Sequence, residues 1–208
     1  MGVKWATFDC YGTLIDWNAG LRGELARVFG EVRADELLAR YHELEPEVER
    51  ESPSLSYREV MAEVARRIGA EDPKALARSL PSWEPFPEVR SALESARERG
   101  WRLAILSNTD RDFIEASIER IGVPFELAIV ASEIGSYKPA AGHWQAFERE
   151  AGRLPDVHIG ASLFHDIGPA NELGLTTVWV NRLGETPGPK PTHEIADLTP
   201  LPDVLREL

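Results

Sequence analysis

Short apolar runs and amphipathic stretches alternate along most of the chain. VKWATFDC at 3–10 concentrates aliphatic and aromatic residues ahead of Gly12, and predicts a short buried strand with Asp9 near its carboxyl end. The same pattern recurs in WRLAILSN at 101–108, FELAIVAS at 125–132, VHIGAS at 157–162 and TTVWVN at 176–181. Between them, VRSALESARERG, RDFIEASIERIG and GHWQAFEREAG repeat apolar residues at helical offsets. Strands alternating with helices predict an α/β fold with a mostly parallel sheet.

From Asn18 to Trp83 the pattern changes. LRGELARVFG, ADELLARYHELEPEVER and SYREVMAEVARRIG are successive amphipathic stretches with no convincing strand among them. NAG punctuates the start of this region, and the prolines of PSWEPFPEV disfavour continuous helix at its end. The expected organisation is a core of residues 1–16 and 86–208 interrupted by an all-helical insert at 17–85. The tail GETPGPKPTHEIADLTPLPDVL reads as turn-rich, then as a closing helix.

Composition narrows the function classes. The 208 residues carry a formal charge of -12, which disfavours binding to a nucleic-acid backbone while leaving room for a local pocket that takes a small organic anion. Cys10 is the single cysteine, so neither an intrachain disulfide nor a Cys-rich zinc site can form, and its expected place is a buried strand position. No run is long and apolar enough for a membrane span, and MGVKWA lacks the apolar region of a secretory signal. The expectation is a cytoplasmic protein with no membrane partner. The pattern carries no information on oligomeric state.

Ligands in open α/β sheets gather at the carboxyl ends of strands. Asp9, Ser107, Asn108, Lys138 and Asp166 all fall at or just after predicted strand ends. A carboxylate at Asp9 could attack an electrophilic carbon or phosphorus and split hydrolysis into two steps. Lys138 could offset its buried charge, Ser107 and Asn108 could orient it or bind a developing anion, and Asp166 could hold Lys138 or orient water. Each residue also has a plainer reading. Lys138 before Pro139 could be a surface lysine at a turn, Ser107-Asn108-Thr109-Asp110 could end a strand and cap a helix, and Gly12 and Thr13 could serve only the turn after Asp9. His42, His143, His158 and His193 show no metal-ligand spacing.

FDCYGTL, ILSN, SYKP and HIGASLFHD, in that order and at these spacings, resemble the successive motifs of the haloacid dehalogenase-like hydrolase superfamily. The resemblance implies a Rossmann-like core with a helical cap inserted after the first motif. In the superfamily's phosphatases a second aspartate stands two residues after the nucleophile and transfers protons; here that position is Tyr11, a poor substitute at neutral pH. The fourth motif has Ala161 where an acidic residue is usual, so a magnesium site would be left with Asp9, Asp166 and the Tyr11 backbone carbonyl.

Asp-x-Tyr-Gly-Thr is instead similar to the L-2-haloacid dehalogenase branch, for which the resemblance implies no cofactor. It further implies attack of Asp9 on the halogen-bearing carbon of a short 2-haloalkanoate, then hydrolysis of the aspartyl ester. On that likeness Lys138 and Asp166 join Asp9 as catalytic residues, and Tyr11, Thr13, Arg40, Ser107 and Asn108 bind substrate, with Arg40 facing it from the cap. Ala161 and Leu163 depart from the branch, which has serine and asparagine there, and His165 could replace one lost polar contact. Trp17, Tyr41, Trp83, Phe86, Phe164 and Trp179 could wall an apolar pocket or sit in the core. The rival readings are a Mg2+-dependent phosphatase and a noncatalytic binding or interaction protein that keeps the scaffold.

Overall fold

A computed structural model of the protein describes residues 3–186 and 188–208. Strand β1 (Lys4–Phe8) is the buried run that opens the chain, and the backbone leaves it at Asp9. Four helices follow without an intervening strand: α1 (Trp17–Phe29), α2 (Ala34–Glu51), α3 (Tyr57–Arg67) and the short α4 (Ala75–Ser79). Asp16 caps α1 by accepting from the Ala19 N–H at 3.0 Å, and Ser56 with Glu59 forms a reciprocal capping box on α3. The chain then alternates: α5 (Val89–Glu98), β2 (Trp101–Ser107), α6 (Arg111–Ile121), β3 (Leu127–Val130), α7 (Ala131–Ile134), α8 (Gly142–Ala151) and β4 (Val157–Gly160). After a π turn at Leu163–Ile167 come α9 (Gly168–Glu172), β5 (Thr176–Val180), β6 (His193–Ile195) and α10 (Leu201–Glu207).

All strand pairs are parallel, in the order β3-β2-β1-β4-β5-β6. The chain winds outward from β1 to β3, then returns to the other side of β1 with β4. Strand β1 is therefore the topological switch, where adjoining loops diverge and leave a crevice at the carboxyl ends. Phe8 pairs with Ile105 on one side and Ile159 on the other, so Asp9 emerges at the centre of a strand layer that is almost fully buried.

Two details differ from the sequence expectation. The run at 125–132 is strand only over β3, because Ala131–Ile134 coils into α7. The tail contributes β6 before its closing helix α10; with three residues and a single buried side chain, that edge strand leaves almost no periodic signal.

The helical insert is joined to the core through two linkers that run side by side. The Asp16 N–H donates to the Glu84 carbonyl at 2.9 Å and the Phe86 N–H to the Leu14 carbonyl at 3.0 Å, around an antiparallel bridge of Ile15 and Pro85. Gly20 lies against this junction with no room for a side chain, since a Cβ there would stand 2.3 Å from the Trp83 ring. Apolar packing crosses the junction, and one buried cluster includes Phe8, Leu103 and Ile159 of the sheet with Leu21, Leu25, Tyr41 and Val64 of the insert. Among the described residues, no helix is long and apolar enough to cross a membrane.

Candidate active site

The loops after β1, β2 and β4 meet helix α2 across a cleft of about 260 Å³. At its floor the Lys138 ammonium, fully buried, donates to Asp9 Oδ1 at 2.9 Å, to Asp166 Oδ1 at 2.6 Å and to the Leu106 carbonyl at 2.8 Å. All three of its donors are thus satisfied. The plain reading of Lys138 as a surface lysine at a turn is overturned by this burial. Asn108 fixes the segment that carries it: its Oδ1 accepts from the Lys138 N–H at 2.6 Å and its Nδ2 donates to the Lys138 carbonyl at 2.9 Å.

Asp9 has its second oxygen held as well, by the Thr13 hydroxyl at 2.8 Å, and Thr13 Oγ1 in turn accepts from the Ala161 N–H at 2.9 Å. Thr13 is completely buried and does not line the cleft, so the structure makes it a support for Asp9 and not a contact to a ligand. Its reach depends on Gly12, whose φ of 86° turns the chain back toward the β4 loop.

Asp166 is oriented from three sides, by Lys138, by His158 Nε2 at 3.3 Å and by the Ser162 N–H at 3.3 Å. His158 lies inside β4, two residues before its end, and turns its ring toward Asp166, a contact that the strand pattern alone does not signal. Gly160 admits Asp166 by having no side chain, because a Cβ would lie 2.5 Å from Asp166 Cβ. Gly160→Ala is expected to cost on the order of 1–3 kcal/mol through overpacking, seen as a lower midpoint of thermal unfolding.

The charges follow from this packing. Burial raises the Asp9 carboxyl above its ordinary pKa, with Asp166 adding to the rise, and Lys138 and Thr13 opposing it. Burial also penalises Asp166, but Lys138 and His158 outweigh it and hold that carboxyl below the usual range. For Lys138, burial works against the charge, while Asp166 and Asp9 prevail and raise the ammonium above its normal value. The floor is therefore an ionised Lys138–Asp166 pair beside a carboxylate that is the easier of the two to protonate. Burial pushes the Cys10 thiol well up, which keeps it out of nucleophilic chemistry.

Tyr11 lines the cleft, but its hydroxyl pairs with Ser117 Oγ at 3.0 Å and its ring stacks on Tyr57. Burial drives the phenol pKa well up, so Tyr11 is no proton shuttle for Asp9. Ser107 and His165 also line the cleft. His165 Nδ1 lies 3.2 Å from Ser162 Oγ, and burial lowers its pKa, leaving a neutral imidazole at the cleft wall.

The cap wall differs most from the sequence expectation. Arg40 does not reach the cleft: it pairs with Glu43 at 2.7 Å and its side chain is 53% exposed. The reason is helical phase. The α2 residues that line the cleft are His42, Glu45 and Glu49, and at about 100° per residue a position two before His42 points to the far side. Neither glutamate was singled out by the sequence reading, although the three lie on one helix face. Glu45 accepts from the Tyr57 hydroxyl at 2.9 Å, which itself accepts from Trp17 Nε1 at 3.0 Å. Burial, with the neighbouring Glu49, pushes Glu45 up to about 8, and burial pushes Glu49 to about 7. Among the described residues lining the cleft, Lys138 is the one lysine or arginine.

The remaining aromatic candidates divide. Trp17 lines this cleft, and Trp17, Phe86 and Phe164 line an adjoining cavity, whereas Tyr41, Trp83 and Trp179 are buried in the packing.

The donor set for magnesium is poor. Both candidate carboxylates already share the Lys138 ammonium, and Ala161 offers a methyl group where a third acid would stand. Among the described residues no cluster of three or more His, Cys, Asp or Glu is arranged to hold a metal ion.

A family model for haloacid dehalogenase-like hydrolases matches residues 3–174. The chain is 36% identical to haloacetate dehalogenase H-2 of Moraxella sp. over 104 residues, 49% of this chain and 46% of that protein. It thus spans about half the length of that relative. It is 27% identical to (S)-2-haloacid dehalogenase 4A of Burkholderia cepacia over 222 residues, 99% of this chain and 93% of that protein. A glyceraldehyde 3-phosphate phosphatase of Methanopyrus kandleri is 30% identical over 69% of this chain and 70% of its own. Among solved structures, L-2-haloacid dehalogenase from Xanthobacter autotrophicus superposes with a TM-score of 0.84 over the full length of both chains, at 20% identity. At that identity the likeness speaks for the fold.

Proposed function

The chain belongs to the haloacid dehalogenase-like hydrolases, and from that premise we propose that it displaces halide from a 2-haloalkanoate, with Asp9 as nucleophile and no metal in the reaction. The observation that carries the reading is the Asp9 carboxylate, fixed by Lys138 on one oxygen and Thr13 on the other, with no proton-transferring carboxylate two residues on. Halide leaves without needing a proton, so the chemistry has no use for the acid that Tyr11 replaces.

An Asp9 oxygen attacks the halogen-bearing carbon from the side opposite the halide, forming an aspartyl ester with inversion and releasing X⁻. Water then adds to the Asp9 carbonyl carbon, the ester opens to the 2-hydroxy acid, Asp9 is regenerated and one proton is released. Lys138, kept charged by Asp166, steadies the negative charge that collects on Asp9 during ester cleavage.

Incubation with L-2-chloropropionate in water enriched in heavy oxygen, with and without chelator, tests this. Chloride release that is insensitive to chelator, with label entering Asp9 over repeated turnovers, is expected. Chloride release from none of the haloacids, alongside magnesium-dependent release of phosphate from phosphate esters, would give the protein the phosphatase activity of its Methanopyrus relative instead.

The cap wall makes the reaction pH-sensitive. Below about pH 7 Glu45 and Glu49 hold protons and can donate to a substrate carboxylate; as pH rises through 7 to 8 they ionise and repel it. KM for an anionic haloacid should therefore rise across that window, and should stay flat in Glu45→Gln/Glu49→Gln. Arg40→Ala, in contrast, should change KM less than about twofold, as expected of an exposed ion pair. A tenfold rise would return Arg40 to the substrate.

A further inference from the structure

A second cavity of about 580 Å³ adjoins the catalytic cleft and shares Tyr11, Trp17, His42 and Ser162 with it. We infer that this cavity is a subsite for the alkyl chain of the substrate, so that the enzyme prefers 2-halo acids of about six to eight carbons over 2-chloropropionate. The inference rests on the haloacid reading above and specifies which haloacids.

Three observations point there. Ala161 and Leu163, the two apolar departures from the dehalogenase pattern in the fourth motif, both line this cavity. Two polar positions near the nucleophile have thus become apolar wall. Phe164 and Leu183 stand on the same wall with 67% and 70% of their surfaces exposed. Two large apolar side chains on one wall beside the cleft offer a surface that an apolar part of a ligand can cover.

The third observation is that most of the polar side chains lining the cavity already have partners within the protein. Asp16 caps α1, Asn18 pairs with His42 at 3.0 Å, and Asn181 donates to the Glu185 carbonyl and to Glu194. Arg182 is neutralised by Glu88 at 2.7 Å, donates to the Thr13 carbonyl at 2.8 Å and lies 3.6 Å over the Phe86 ring. Among the described residues lining the cavity Arg182 is the one lysine or arginine and it is paired, Glu185 adds a negative charge, and the apolar surface left for a ligand is that of Tyr11, Phe86, Leu163, Phe164 and Leu183. The first cleft, at about 260 Å³, lies below the usual 300–1,000 Å³ of a ligand site; the second falls within it. The carboxylate and reacting carbon would occupy the first and the chain the second.

The test measures chloride release from L-2-chloro acids of three, four, six and eight carbons by the purified enzyme. Each added methylene that enters the subsite should raise kcat/KM about fourfold, in line with its transfer from water. Phe164→Ser/Leu183→Ser removes the two exposed apolar residues of the cavity wall; it should flatten the series, read as the ratio of kcat/KM for the eight-carbon acid to that for chloropropionate. A series that is flat or falls with length in the unaltered enzyme would overturn the inference while leaving the haloacid reading intact. Release from no member would overturn the haloacid reading itself. In that event calorimetric binding of the matching 2-hydroxy acids decides the subsite separately: affinity that grows with chain length, and ceases to in the double variant, upholds it, and length-independent affinity rejects it.

Discussion

Lys138→Met should cost roughly 3–5 kcal/mol of stability and at least about a hundredfold in turnover. Both losses come from the same geometry. The ammonium is shared by Asp9 and Asp166 at 2.9 and 2.6 Å, and methionine would leave two carboxylates facing each other in a buried site with nothing between them. Asp166, now held below the normal range mainly by Lys138, would lose its partner, and Asp9 would be driven further toward its protonated, unreactive form. The two roles can be separated. Lys138→Met/Asp166→Asn removes the orphaned charge, so unfolding by denaturant should show most of the stability restored, while turnover stays at the level of the single variant. Restored turnover would mean that Lys138 acts only through packing.

Asp9→Asn separates the same quantities in the opposite sense. Turnover should fall by at least about 10⁴-fold, since the amide cannot form the ester. Stability at pH 7 should not fall. Burial raises the Asp9 carboxyl, and a carboxyl whose folded pKa lies above its unfolded value favours folding less as pH climbs past the unfolded value. At neutral pH its ionised form works against the fold, and asparagine removes that penalty. The unfolding midpoint of Asp9→Asn should therefore equal or exceed that of the parent at pH 7, and the difference should shrink below about pH 4, where the unfolded carboxyl is protonated too. A variant clearly less stable at pH 7 would show that the Asp9–Lys138 pair contributes net stability. With Asp9 as the proposed nucleophile, keeping its charge at the cost of the fold would be the usual exchange of stability for activity.

Much of this centre was legible in the chain because a parallel sheet reduces it to short segments. Asp9, Lys138 and Asp166 each follow an apolar run, and convergence at strand ends is a property of the topology, independent of sequence separation. Arg40 was misplaced because a match in a helix locates a residue along the axis without fixing the face it occupies. One hundred degrees per residue separates a ligand contact from an exposed ion pair within two positions. Thr13 lies in the expected neighbourhood but behind the cleft, and Asn108 lines the cleft while bracing the segment that carries Lys138. Thr13 bonds Asp9, and Asn108 bonds the Lys138 backbone through its Oδ1 and one of its two amide hydrogens. Which of two nearby polar groups a short side chain selects is settled by ångström-scale geometry that composition and spacing do not encode. Glu45 and Glu49 escaped notice for a related reason: in a chain with 35 acidic residues, a glutamate on a cap helix reads as solvated until its face is known.

The side-by-side linkers at Asp16–Glu84 and Leu14–Phe86 bear on how such a molecule can be rebuilt. Because the insert enters and leaves through adjacent hydrogen-bonded positions, the ends left by excising it already lie next to each other, close enough for a tight turn to rejoin them without redrawing the sheet. In connectivity, then, the helical part is an exchangeable cassette. In energetics it is not, since the apolar cluster runs unbroken from Phe8 and Leu103 into Leu21, Leu25 and Tyr41. A graft that respects the doorway but ignores this shared interior would expose the floor of the active site to water, so a new specificity module has to arrive with its own matching underside.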